Sequence, residues 1–207
     1  EATWGRVWGL SNDVGQIRTV LMHRPGAELG IVDPTKRIES IGSYGDLDEH
    51  WYFQSEEPPD VATMQAQHDA FVAALERRGV EVVYQQGVGP TQLKAVYTRD
   101  PLQMVKGGAI VNRMGTRIRR GEERVTTQTL AALGVPILRT LSGSAVMEGG
   151  SFAWLDDRNA AIGVGVRVNR EGARQVGEVL ASQGVELHVI DLVGYDIHIR
   201  SEEHTSE

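Results

Sequence analysis

SFAWLDDRNAAIGVGVRVNREGARQVGEVLASQGVELHVI, residues 151–190, contains one complete structural unit. Residues 151–165 read as a β-hairpin whose turn falls at 156–159, where two aspartates, an arginine and an asparagine interrupt apolar runs. Helical periodicity then occupies 170–183 and ends at Gly184, a C-cap residue. VELHVI, residues 185–190, returns as a strand. The order is two strands, a helix and a third strand.

The same order stands upstream. QMVKGGAIVN, residues 103–112, reads as a hairpin turning at Gly107-Gly108, followed by a periodic stretch at 121–133, a stop at Gly134 and VPIL at 135–138. Further back, RTVLMHR at 18–24 is a strand closed by Pro25-Gly26. The stretch from there to Pro59 reads as irregular, a surface loop covering something. Between Asp60 and Arg78, Val61, Met64, His68, Phe71, Val72 and Leu75 mark the apolar face of a helix, with His68 a boundary residue rather than a ligand. Gly79 ends that helix and a strand follows at 80–84. The three stop glycines lie 55 and 50 residues apart, the signature of a repeated unit. Such ββαβ units bury a sheet against a helix and need neighbours to complete a core, so the fold class is α/β.

Composition narrows the function. The 41% hydrophobic and 24% charged content is that of a globular chain, long enough for one domain with a substantial core. No apolar run approaches the ~20 residues of a bilayer span, and no stretch resembles a signal peptide. The expected setting is therefore cytoplasmic, without a membrane partner. A net charge of -7 argues against a nucleic-acid backbone as partner; Arg117, Arg119 and Arg120 form the densest basic cluster. With no cysteine, the chain as it stands has no disulfide, thiolate ligand or thiol nucleophile.

The polar residues follow the repeat. Asp100 in VYTRDP, Glu148 in MEGG and His198 in YDIHI are 48 and 50 residues apart, and the last two each stand 14 residues beyond a stop glycine. Units arranged about a pseudo-axis would point equivalent strand ends at one cavity, uniting an Asp, a Glu and a His. Gly149-Gly150 would let backbone approach closely or take positive φ there. Three chemistries suit that set. A metal site is one, although no HExxH or similar short spacing occurs. A glycosidase acid–base pair is another, in a chain with only 6% aromatics to stack sugars. The third is recognition of a cation by carboxylates with histidine as proton shuttle, which lacks a nucleophile here.

Tyr97-Thr98-Arg99-Asp100-Pro101, Glu148-Gly149-Gly150, the run from Gly163 through Arg167 to Asn169, and Asp196-Ile197-His198-Ile199 resemble the ordered motifs of arginine deiminases, dimethylarginine dimethylaminohydrolases and amidinotransferases. IRTVLMHRPGAEL, residues 17–29, is similar to the start of these guanidino-modifying enzymes. The resemblance implies a pentein-type five-bladed α/β propeller of ββαβ units. It also implies a Cys-His-Glu mechanism without cofactor or metal, in which a thiolate attacks the guanidinium carbon. Asp100, Glu148 and His198 would be catalytic: Asp100 gripping the guanidinium, Glu148 pairing with substrate or histidine, His198 acting as general acid and base. Arg119, through the R-x-x-E pattern ending at Glu122, and Arg167 would bind the substrate carboxylate. The partner expected is a small guanidino compound, and a homo-oligomer stays open. Ser151, Lys94 and the Gly165–Val168 segment depart from the commoner deiminase residues, which leaves arginine, methylated arginine and agmatine as candidates. An amidinotransferase, or a noncatalytic binder of the same fold, is the alternative.

The family expects an apolar residue and then an aspartate after His198, whereas Ile199 is followed by Arg200 and RSEEHTSE, residues 200–207, resembles a translated sequencing adapter. Residues 1–199 are therefore expected to be about three blades of five of a single catalytic domain. The nucleophilic cysteine is expected in the missing part, which would leave this fragment inactive.

Overall fold

The computed structural model describes residues 3–48, 51–193 and 198–199. Asp196 and Ile197 of the last motif, and the tail at 200–207, lie outside the described residues. The described residues divide into two compact units: those within 16–98 and 116–125 form one, and the others, within 1–15, 99–115 and from 126 on, form the second.

In the first unit, β1 (Thr19–Met22), β2 (Arg37–Ile38), β3 (Ser43–Asp46) and β4 (Trp51–Gln54) precede α1 (Val61–Glu76) and β5 (Glu81–Tyr84). Asp60 starts α1 where the sequence places it, its carboxylate accepting from the amides of Ala62 (3.0 Å) and Thr63 (3.3 Å). The helix returns the chain so that β5 runs parallel to β1, Thr19 opposite Glu81 and Met22 opposite Tyr84. His68 and Val72, one turn apart, are buried on α1, and the His68 ring lies 6.0 Å from that of Tyr84. Phe71, expected on the same face, sits at the margin of the stripe and is exposed.

The stretch from Pro25 to Pro59 is more ordered than its sequence suggests. It holds a 3-10 turn at Ala27–Ile31 and a three-stranded antiparallel sheet in the order β2-β3-β4. Leu29, Val32, Tyr44 and Trp51 from this stretch bury together with Leu93. Strands of two to four residues are too short to show alternation.

The second unit contains one full ββαβ repeat and the strands of another, whose helix begins within residues 116–125 of the first unit. β6 (Leu102–Val105) and β7 (Gly108–Val111) form a hairpin, α2 (Glu122–Ala132) follows, and β8 (Ile137–Thr140) pairs parallel to β7. β9 (Phe152–Trp154) and β10 (Asn159–Val164) repeat the hairpin, and α3 (Arg170–Ser182) leads to β11 (Glu186–Asp191), parallel to β10. The first turn is Lys106-Gly107, one residue earlier than expected. β8 begins two residues late because Pro136 has no amide to donate to a ladder. The three stop glycines have φ of 75°, 73° and 69°, the left-handed helix end that favours glycine.

Phe152, Ile162, Ile110, Val105 and Met147 fill the core of this unit, with Val176 and Leu180 of α3 one turn apart on top. Fully burying a Val or Leu side chain stabilises by about 1.5–3 kcal/mol, so α3 is held mainly by this stripe. The N-terminal segment belongs to the same unit: the Leu10 amide donates to the Val105 carbonyl (3.2 Å), and Asp13 accepts from the Trp154 amide (2.8 Å).

In the first turns of α3, the exposed Arg174 and the buried Gln175 donate to Glu171 and hold its carboxyl down to about 2. A depressed carboxyl adds stability that is complete above its ordinary value of 4.5 and is lost as pH falls through about 2. Acid unfolding should show Glu171→Gln less stable than the parent at neutral pH, with the difference vanishing below about pH 2. A difference independent of pH would exclude this pairing. Among the described residues, no helix is long and apolar enough to cross a membrane.

Candidate active site

Asp100 stands just ahead of β6, where the end of β7 fixes its backbone. The Asn112 side-chain amide donates to the Asp100 carbonyl and the Asn112 backbone amide to that of Pro101, both at 2.9 Å. Glu148 occupies the matching place before β9, at the start of a 3-10 turn over Gly149–Ser151. Two amides of that turn reach back to Asp100: Gly149 donates to its carbonyl (3.0 Å) and Gly150 to its Oδ1 (2.9 Å). The equivalent strand starts of two repeats thus bring two carboxylates together, Glu148 2% and Asp100 6% exposed.

His198 completes the cluster. Its Nε2 lies 3.4 Å from Glu148 Oε2 and 4.0 Å from Asp100 Oδ1. Among the described residues, no hydrogen-bond partner in good geometry reaches that buried nitrogen. The paired glycines explain how the ring fits. Neither is a positive-φ residue. A Cβ on Gly150 would come 2.6 Å from His198 Nδ1, and one on Gly149 2.3 Å from the Arg99 carbonyl. Close approach, not unusual backbone conformation, is what the glycines permit.

Arg167 projects from the short turn closed by the Gly165 amide on the Val168 carbonyl (2.9 Å). Its Nη1 stands 3.5 Å from Glu148 Oε1. Asn169, the last residue of the same motif, accepts from Gly172 (2.8 Å) as N-cap of α3 and from Val146 (3.1 Å), and donates to the Ser144 carbonyl (2.7 Å). One asparagine therefore ties the helix start to the segment that delivers Glu148. An asparagine directly before a helical period is legible as a cap; Asn112, inside a hairpin, carries no such signal.

Arg119 lies in the other unit. Its Nε (3.0 Å) and Nη2 (2.8 Å) both donate to Glu122, and Nη2 also donates to the Tyr97 carbonyl (3.2 Å). The R-x-x-E spacing there is a buried ion pair. Lys94 of that unit donates to the Tyr52 carbonyl (3.1 Å).

Two buried carboxylates beside an imidazole suit a cationic ligand. Asp100, Glu148 and His198 each offer an atom within 4.8 Å of the others, a spacing a divalent ion would accept. A planar guanidinium suits it as well, because each carboxylate takes two parallel N–H bonds. Arg167 already places one such cation against Glu148.

Residues 50–201 match the family model described as N,N dimethylarginine dimethylhydrolase, eukaryotic. The chain belongs to that family. This dimethylarginine dimethylhydrolase family is one of guanidino-group hydrolases, and its neighbours agree. The N(G),N(G)-dimethylarginine dimethylaminohydrolase of Pseudomonas aeruginosa is 28% identical over 136 residues, 65% of this chain and 52% of that protein. A solved structure of the enzyme from that organism has a TM-score of 0.68 at 22% identity, covering 89% of this chain and 64% of that one. The arginine deiminase of Treponema denticola is 36% identical over 78 residues, 38% of this chain and 16% of that protein. The inosamine-phosphate amidinotransferase of Streptomyces griseus shares the fold at a TM-score of 0.64 and 13% identity, covering 89% of this chain and 63% of that one. This dimethylarginine dimethylhydrolase family member thus spans about half the length of the dimethylaminohydrolase it matches, and less of the deiminase.

Proposed function

We propose that this chain is part of a longer enzyme that hydrolyses arginine or methylated arginine at the guanidino group, built as a five-bladed propeller and acting in the cytoplasm. The observation that carries this reading is the meeting of Asp100, Glu148 and His198, with Arg167 beside them, in one unit. Asp100 and Glu148 grip the guanidinium N–H groups, and Arg167, once the substrate takes over Glu148, is free to face the substrate carboxylate. Arg119 enters through the family resemblance alone.

The covalent step needs a thiolate, and the 207 residues contain no cysteine. In this reading the thiol belongs to the segment beyond the chain. A cysteine-to-serine mutant of the P. aeruginosa enzyme was solved in complex with citrulline, which fits a thiol acting on a substrate that becomes a ureido product. The thiolate forms a C–S bond to the guanidinium carbon. His198 gives a proton to the departing amine as the C–N bond breaks. The neutral imidazole then takes a proton from water, whose oxygen bonds the same carbon; cleavage of the C–S bond returns the thiolate with citrulline, and the second proton leaves to solvent, where the released amine takes it up. In an amidinotransferase an amine takes the place of that water.

The chain itself should bind without turning over. Titration calorimetry with L-arginine, N,N-dimethylarginine and citrulline tests this. Guanidino ligands should bind well ahead of neutral citrulline, and Asp100→Asn should weaken arginine by about 10- to 100-fold, the worth of a charge-assisted bond. Equal binding of citrulline and arginine, or an unaltered affinity in Asp100→Asn, would remove the proposal.

A further inference from the structure

We infer that Arg99 is a positioning residue for the Asp100–Glu148 pair and that Asp13 of the N-terminal segment aims it. The Arg99 guanidinium donates from Nε to the Gly149 carbonyl (3.3 Å) and from Nη2 to the Phe152 carbonyl (3.0 Å). Those two carbonyls bracket the 3-10 turn that starts at Glu148 and presents the Gly150 amide to Asp100. The Arg99 backbone packs against the same turn, its carbonyl filling the space a Cβ on Gly149 would need. Main chain ties the near end of the turn to residues 99 and 100; the guanidinium ties the far end.

Asp13 acts on the same strand. Its Oδ2 accepts from the Trp154 amide (2.8 Å), and its Oδ1 lies 3.9 Å from Arg99 Nη2. In a strand, the carbonyl of one residue and the amide two residues on face the same edge. β9 is an edge strand, because its sheet runs β11-β10-β9. Its outer edge therefore meets two side chains in place of another strand: Arg99 takes the carbonyl of residue 152 and Asp13 the amide of residue 154. The opposite charges hold each other in register. A fork with several donors in fixed directions is required, so lysine is no substitute.

Amide hydrogen exchange on this 207-residue chain tests the inference. In Arg99→Ala, protection at the Gly150 amide should fall at least tenfold while that at Ile110, inside the β6–β8 sheet, changes less than twofold. Arg99→Lys should not restore it. Asp13→Asn, which keeps an acceptor for Trp154 but loses the charge facing Arg99, should lower Gly150 protection about threefold. It also carries the test if Arg99→Ala does not fold. Unchanged Gly150 protection in Asp13→Asn, or losses at Gly150 and Ile110 in step, would overturn the inference. Arginine affinity should fall about tenfold in Arg99→Ala; this arm rests on the proposed function. If the unsubstituted chain binds no arginine, that function fails while the exchange result still decides the role of Arg99.

Discussion

Gly150→Ala should lower turnover of the proposed full-length enzyme about 100-fold without unfolding it. The added methyl would lie 2.6 Å from Nδ1, 2.8 Å from Cγ and 2.9 Å from Cε1 of His198, so the ring must leave its place. Because Gly150 has no positive φ, the backbone itself accepts alanine. The cost is positional: a shift of about 1 Å in a reacting group is enough to lose roughly 100-fold in rate. Overpacking adds about 1–3 kcal/mol of destabilisation, which thermal unfolding would register separately. Gly30, where an added Cβ meets nothing within 4 Å, is the control, and Gly30→Ala should match the parent. Steady-state kinetics of both variants decide the matter. Full activity in Gly150→Ala would mean that His198 does not sit against that glycine during the reaction.

Replacing His198 by alanine should remove about 10²- to 10⁴-fold from kcat, the usual worth of a positioned acid–base group. Arginine affinity should change far less if, as proposed, the carboxylates rather than the imidazole grip the guanidinium. The split separates this histidine from Asp100, whose replacement is expected to weaken binding directly. A His198→Ala enzyme that keeps its turnover would refute the assigned role.

The legible parts of this chain were those where one period or one cap dominates. α3 emerged within a residue of expectation because Val176 and Leu180 recur at helical spacing between Asn169 and Gly184. Both hairpins were legible from their turn residues and the return strands from the apolar runs after the stop glycines. Residues 25–59 were illegible for the opposite reason, since strands as short as Arg37–Ile38 carry no pattern and their burial depends on Leu93, far along the chain. At the site, the common spacing of Asp100, Glu148 and His198 found the three groups that meet. What spacing could not convey was the apparatus around them: the Asn112 amide on the Asp100 carbonyl, the Arg99 fork on the 149–152 turn, and the closeness that makes Gly150 obligatory. Each joins residues distant in sequence through the main chain, where side-chain identity gives little clue. Arg119 and Glu122, the two ends of the R-x-x-E pattern, form a buried ion pair within their own unit.

The most direct test is a crystal structure of this chain soaked with L-arginine. The guanidinium should lie within hydrogen-bonding distance of both the Asp100 and Glu148 carboxylates, with His198 Nε2 facing its carbon. Arginine bound away from these three side chains, or touching only one carboxylate with its guanidinium in solvent, would contradict the account.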